Sequence, residues 1–474
     1  MPNPAMNDPA LAVRALEGLL ASAGMAGAAR MTPGAVAFGT RFHAAEAAGA
    51  ALAATGIAAA EIQARGTGHV APVSVELRHA ELSLISFALQ RFLDPDKAPA
   101  ARLAPEERTA VAGFHPTADG RTVYLHAGFP HNTRLLLDLL GVADEREQVR
   151  TAVARWTGQA LKDAVAERGL CGAMVRTPEE WDASAAGRLL AARPVVDIVQ
   201  LGDSAPEPLP AGDRPLSGIR VLDLTRVLAG PTCARTLAMY GADAMRIGAE
   251  HLPSVPAFVV DTGLGKRAAF LDLTRADDNA RLNDLVGEAD VFSQGYRTGA
   301  LERHGFGVMD VVRRHPGIVY VSINCYGHEG AWRARPGWEQ LAQTVTGMAH
   351  LHGLSRHGTA ARPELQPAAV TDYTTGYLAA FGVLAALRRR AEHGGSYWVR
   401  VSLARTGMWV RSLGLRDGGF DPAPPAEEEL ERLRIDTDTA WGRLQHLAAP
   451  VAIDGVDVGW TRPPCPLGSC APRW

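Results

Sequence analysis

Asp372 is the carboxylate whose setting most suggests chemistry. It lies in Pro367 to Leu384 (PAAVTDYTTGYLAAFGVL) with no neighbouring charge, and it opens an apolar helix rich in Gly and Ala. Two roles suit such a residue. It can cap the helix by accepting from the first amides, or it can be held ionised by those donors and aimed into a cleft as a nucleophile. Cationic side chains form a second constellation. Arg246, the pair Lys266 and Arg267, Arg297 and Arg303 flank loops expected to follow strands. Ligands of open α/β sheets bind at the carboxyl ends of the strands, so these positions suit a phosphorylated ligand; a solvated surface is the plainer reading.

Other chemistries find less support. No G-x-S-x-G elbow occurs, and Ser322 lies inside an apolar strand pattern. The loop from Leu228 to Cys233 (LAGPTC) is neither of the phosphate-binding glycine fingerprints, although a tight crossing there can still present amides to an anion. Cys465 and Cys470 have no second pair, and His126 and His131 lack the spacing of one helix face. Structural histidines and no metal are expected.

The elements that must carry these residues follow from periodicity. Ile219 to Leu224 reads as a buried strand, Pro231 to Tyr240 as a helix stopped by Gly241, and Ala244 to Ile247 as the next strand. This is a βαβ unit, so a parallel sheet is expected. Val291–Phe292 and Ile318 to Ile323 look like further strands, and Val370 to Arg388 like a long helix. Earlier, Val73, Val75 and Leu77 alternate with polar residues, and Phe114 to Phe129 reads as strand, Asp-Gly turn, strand. Val73, Val75 and Leu77 recur as Val399, Val401 and Leu403, a constant offset of 326 residues.

Composition bounds the rest. The 474 residues are 47% apolar and 21% charged with a net charge of -3, which describes a large-cored globular chain and gives no support to a wholly basic polyanion binder. Five cysteines are too few for a disulfide framework. No run reaches the roughly 20 uninterrupted apolar residues of a membrane span, the Ala-rich stretch from Ala44 to Ala60 coming nearest, and the first residues lack a signal-peptide pattern. A cytoplasmic protein without membrane or nucleic-acid partners is expected. The organisation expected is an Ala/Gly-rich segment at 1–65 (packed helices or a mobile arm), a small α+β domain at 66–200, a linker at 201–214, a large α/β domain at 215–410 and a Pro-containing tail at 411–474.

Leu216 to Ile247, Gly265 to Leu273, Ala289 to Phe306, Pro316 to Arg333, Gly337 to Gly347 and Thr371 to Leu387 together resemble, in order, the class III CoA-transferases. That group includes formyl-CoA, carnitine-CoA and bile-acid CoA-transferases and the α-methylacyl-CoA racemases. The resemblance implies a Rossmann-like parallel-sheet domain plus a smaller α+β domain, and an interlocked homodimer. It implies acyl-CoA and a small carboxylic acid as substrates, and CoA transfer through aspartyl anhydride and aspartyl-CoA intermediates. Asp372 matches the family's catalytic aspartate, and Glu339 its active-site acid near the thioester. Arg246, Lys266, Arg267, Arg297 and Arg303 match positions that contact the CoA nucleotide and phosphates. Phe114 to Gly141 resembles the family's smaller domain, here placed first, which makes the repeat the mark of a fused, truncated duplication. Trp338 stands where racemases carry a second base, so transfer ranks above isomerisation, with a non-catalytic CoA-binding protein as the third reading.

Overall fold

A computed structural model describes residues 5–99, 109–358, 362–417 and 422–474. Its centre is a seven-stranded sheet. The strands that matter below, in chain order, are β1 (Val73–Glu76), β2 (Asp197–Gly202), β3 (Arg220–Leu224), β4 (Asp243–Gly248), β5 (Lys266–Phe270), β6 (Val291–Gln294), β7 (Val319–Asn324) and β8 (Ser396–Ser402). The central sheet has the order β5-β4-β3-β6-β7-β8-β2, parallel throughout except that β2 runs antiparallel to β8. The helices used below are α1 (Ala44–Thr67), α2 (Leu77–Leu82), α3 (Ala229–Met239), α4 (Glu339–Val345), α5 (Val370–His393) and α6 (Leu403–Ser412). Side chains of β3 alternate as a pleat requires: Val221 packs into a core shared with α1 and α5, and Leu222 into a second core with Met245, Phe292 and Tyr320.

The small unit is a three-stranded antiparallel sheet of Gly113–Pro116, Thr122–Leu125 and Gly172–Met174, with its own core of Val123, Leu125, Leu136 and Leu161. Its hairpin turns at Gly120, where φ is +71°, the conformation that the Asp-Gly pair tolerates.

The structure redraws the expected boundaries. Strand β2 joins the central sheet, so the division expected at 200 falls within a strand. Of the two readings of the first segment, packed helices hold for α1: Ala44 to Ala54 are buried. Ala-rich composition lets this helix approach its neighbours closely. It forms one continuous helix of 24 residues, which by length and composition matches a membrane span, yet 94% of that window is buried inside the protein. The last segment also contributes structure: Arg434–Thr439 and Gly442–Leu447 form a hairpin beside Arg91–Phe92, and Ala452–Ile453 pairs with β1.

The repeat extends far beyond its strands. Helices α1 and α5 both have 24 residues, and both ends of each stand 326 positions apart. Each leads into a strand (β1, β8) and then directly into a helix opening at Leu77 or Leu403. Gly56 lies where an added Cβ would sit 2.7 Å from Val73, and Gly382 where it would sit 2.5 Å from Val399, so the same helix–strand crossing recurs in both copies. Corresponding positions also touch each other: Thr40 donates to Gln366 Oε1 at 2.5 Å. Two copies of one helix–strand–helix unit therefore face each other within a single chain.

Candidate active site

Asp372 sits in the first turn of α5, and Glu339 is the first residue of α4. Both acids thus lie at helix N-termini, where unpaired amides and the helix dipole favour negative charge. Helix α5 is held rigidly. Tyr373 Oη donates to Asp261 Oδ2 at 2.8 Å, and Asp261 in turn pairs with buried Arg235 at 2.7 Å. Tyr377 Oη donates to Ser83 Oγ at 2.9 Å, which ties the helix to the first half of the chain. Glu339 Oε1 accepts from the Thr371 amide at 2.7 Å, from Thr371 Oγ1 at 3.1 Å and from Gln343 Nε2 at 3.1 Å. One carboxylate therefore fixes the turn that presents the other.

Asp372 and Glu339 line a cavity of about 550 Å³, within the range that holds substrates. Its wall draws on both halves: Ile85, Phe87, His126 and Phe129 from the first, and Val227, Leu228, Phe258 and Trp338 from the second. Trp338 stacks on His126 at 5.3 Å and contacts Phe129 at 5.8 Å, closing the seam between them. Arg226 lies over the Phe129 ring at 5.6 Å. Next to it, Val227 has φ +70°, a costly conformation for a β-branched residue and the only positive-φ non-glycine among the described residues. Buried Asp223 anchors this loop, accepting from the Thr225 amide at 3.1 Å.

The electrostatics of the pair are those of two acids sharing one dry pocket. Burial pushes Asp372 well above the ordinary carboxylate range, and the neighbouring Glu339 adds to the shift. Burial lifts Glu339 to about 7 against the pull of the Thr371 and Gln343 donors. Among the described residues, neither acid has a cation within ion-pair distance; the donors from Thr371 and Gln343 support charge on Glu339, and the start of α5 supports it on Asp372.

The cationic residues singled out by sequence are dispersed. Lys266 and Arg267 occupy β5 itself, not a loop after it, and the strand's alternation sends them to opposite faces. Lys266 is buried and spent on Asp223 Oδ2 at 2.8 Å and the Pro231 carbonyl at 3.1 Å, out of reach of a ligand phosphate. Arg267 pairs with Asp243 at 2.8 Å and lies over Trp474 at 5.6 Å. Arg246 is buried within β4, with an unpartnered Nε; it lines a small recess with Val227, Val255 and Phe258, three residues that also line the Asp372 cavity. Arg297 and Arg303 are exposed beyond β6 and do not line the Asp372 cavity. The structure thus brings Asp372 and Glu339 together in one cavity and places none of the five cations in its lining.

Two contributors to the site escaped the sequence reading. His126 and Phe129 reach the cavity from another part of the chain, and nothing local announces that. Glu46, in contrast, was open to discovery, because the offset of 326 that links Val75 to Val401 also links Glu46 to Asp372. Glu46 is fully buried in α1, and Arg416 Nη2 meets both its oxygens at 2.7 Å. The residue at the Arg416 position in the other copy is Gln90, whose amide donates to the Ala257 carbonyl at 2.9 Å.

A family model described as CoA-transferase family III matches residues 11–206 and again 216–425. The chain belongs to CoA-transferase family III. Among curated family III relatives, an acetyl-coenzyme A transferase, nodX, of Hypoxylon pulicicidum is 31% identical over 389 residues, covering 73% of this chain and 65% of that protein. An acyl-CoA transferase of Gibberella moniliformis is 35% identical over 272 residues, covering 55% of this chain and 48% of its own length. The beta subunit of a succinyl-CoA–L-malate CoA-transferase of Chloroflexus aurantiacus is 32% identical over 201 residues, 40% of this chain and 49% of that one. The chain thus spans about half to two thirds of the relatives it matches. A crystal structure of Rv3272 from Mycobacterium tuberculosis aligns with 26% identity over 42% of this chain and 58% of that one, at a TM-score of 0.38. The paired family III matches agree with the structural duplication.

Proposed function

We propose that the protein transfers CoA from an acyl-CoA thioester to a carboxylic acid, with Asp372 as the nucleophile. One observation carries the reading: a carboxylate in the first turn of a rigidly held helix opens into a large, mostly apolar cavity and, among the described residues, has no cation within ion-pair distance. Asp372 Oδ attacks the thioester carbonyl carbon, the C–S bond breaks, and an acyl-aspartyl anhydride forms as CoA thiolate departs. The thiolate then attacks the aspartyl carbonyl, which releases the acyl carboxylate and leaves an aspartyl-CoA thioester. An incoming carboxylate reverses the sequence and leaves as the new CoA thioester. Each exchange splits a difficult step into two easier ones.

The surroundings suit that role. A carboxylate in a dry site is poorly solvated and reactive once ionised, and the N-terminal end of the α5 dipole favours that charge. Glu339 holds the Thr371 turn and, being raised to about 7, sheds or takes its proton near neutrality as charge moves on Asp372. Trapping tests the reading: after incubation with acyl-CoA donors, hydroxylamine should convert Asp372 to its hydroxamate, detectable by peptide mass spectrometry. Transfer activity surviving in Asp372→Asn would refute the nucleophile. His126 in the same cavity supports a second reading, acyl-CoA isomerisation with His126 as the other base. Deuterium exchange at the Cα of a 2-methylacyl-CoA without CoA transfer would select it.

A further inference from the structure

A second cavity, of about 300 Å³, shares no lining residue with the Asp372 cavity. It lies past the ends of β7 and β8, between the loop from Tyr326 to Trp332, the start of α6 and the segment before β2. Its charge is unbalanced. Five cations line it (Lys162, Arg176, Arg193, Arg400, Arg405) against two carboxylates (Asp197, Glu329). The two acids are already engaged: Arg400 pairs with both, and Arg193 with Glu329 at 2.7 Å. Lys162 has the half-exposed Asp163 at 3.1 Å.

That leaves Arg176 and Arg405. Among the described residues, neither guanidinium has a carboxylate within ion-pair distance. Arg405 makes one side-chain bond, from Nε to the Arg193 carbonyl at 2.9 Å, so its terminal nitrogens remain uncommitted. Arg176 rests against the Trp332 ring at 5.8 Å, and its buried Nε has no partner. Burial lowers the proton affinity of both. The remaining wall is apolar, with Leu189, Leu190, Val195 and Trp332.

Unquenched guanidinium groups over an apolar floor match one kind of guest. Guanidinium forks recognise carboxylates by paired N–H···O bonds, and the floor takes a hydrocarbon body. The volume stands at the small end for ligand sites, too small for a CoA thioester. We propose that this cavity is a separate binding site for a small organic carboxylate with an apolar body, held by Arg176 and Arg405. The claim is independent of the chemistry assigned to Asp372.

Calorimetry on the full chain tests it, with octanoate as the probe and octan-1-ol as the uncharged control. Octanoate should bind wild type and Asp372→Asn alike, and octan-1-ol should not bind. Arg405→Gln and Arg176→Gln should each weaken octanoate binding about tenfold or more, the loss expected for one charged hydrogen-bonding group. Arg405→Lys should recover part of the affinity, and unchanged thermal melting would separate a lost contact from a lost fold. Absence of octanoate binding, wild-type affinity in either glutamine variant, equal binding of octan-1-ol, or loss of binding in Asp372→Asn alone would each overturn the proposal.

Discussion

Glu46 and Asp372 occupy the same place in two copies of one helix, and their fates differ. Glu46 is clasped by Arg416 through both oxygens and also takes the Asp8 amide at 2.7 Å. Asp372 faces a cavity and has Gln90 where the other copy has Arg416. Burial alone would raise Glu46, but the His43 ring, Arg416 and the Asp8 amide outweigh it and hold Glu46 below its ordinary value. Asp372 moves the opposite way. The comparison teaches that position on the helix does not decide a carboxylate's state: Glu46 is held by a cation, whereas Asp372 faces a cavity and, among the described residues, has no cation within ion-pair distance.

Five experiments would break or sharpen that contrast. The largest effect belongs to the acids themselves: Asp372→Asn should cut CoA transfer by at least about 10³-fold, whereas Glu46→Gln should leave the rate per folded molecule within about twofold. Equal losses from both would erase the distinction. Next, Arg416→Ala strands a buried carboxylate and should cost about 3 kcal/mol in urea denaturation at neutral pH, again with little change in turnover. Copying the clasp into the other half is the third test. Gln90→Arg should slow transfer about tenfold by supplying a cation near Asp372.

The fourth concerns the acid pair. Removing the like charge with Glu339→Gln should move the acid limb of kcat/KM down by about one pH unit, because Glu339 is part of what raises Asp372. An unmoved limb would detach the two groups. The smallest effect is on stability, and its sign differs between the sites. Glu339 is raised from 4.5 to about 7, so its contribution is full below 4.5 and lost as pH rises through 7. Glu46 is lowered, so its contribution holds above 4.5 and is lost as pH falls through its folded value. Glu339→Gln should therefore flatten the decline toward neutrality, and Glu46→Gln should flatten the acid-side loss. Melting curves across pH would separate them.

What was legible in the sequence followed local periodicity and ordered motifs. The βαβ unit at β3, α3 and β4 formed as read, because alternating apolar runs and the Gly241 stop act locally. Asp372 stood out because an isolated charge in an apolar helix is a local anomaly. Lys266 was misplaced for a physical reason: a lysine that opens a buried strand finds Asp223 across β4, a pairing no one-dimensional pattern reveals. The cavity's other wall was equally hidden, since His126 and Phe129 belong to a separate small sheet folded against the seam. The strands of the 411–474 segment stayed hidden because they are short and pair with distant partners.

That last pairing has a consequence for how the molecule is made. Ala452–Ile453 hydrogen-bonds beside Val73 and Ser74, so a sheet begun near the start of the chain waits for residues near its end. Pairings so distant in sequence slow assembly and leave an open strand edge exposed while synthesis continues. Expression at lower temperature, or with chaperones, should therefore raise the soluble yield, and removal of residues beyond 450 should send the product into aggregates.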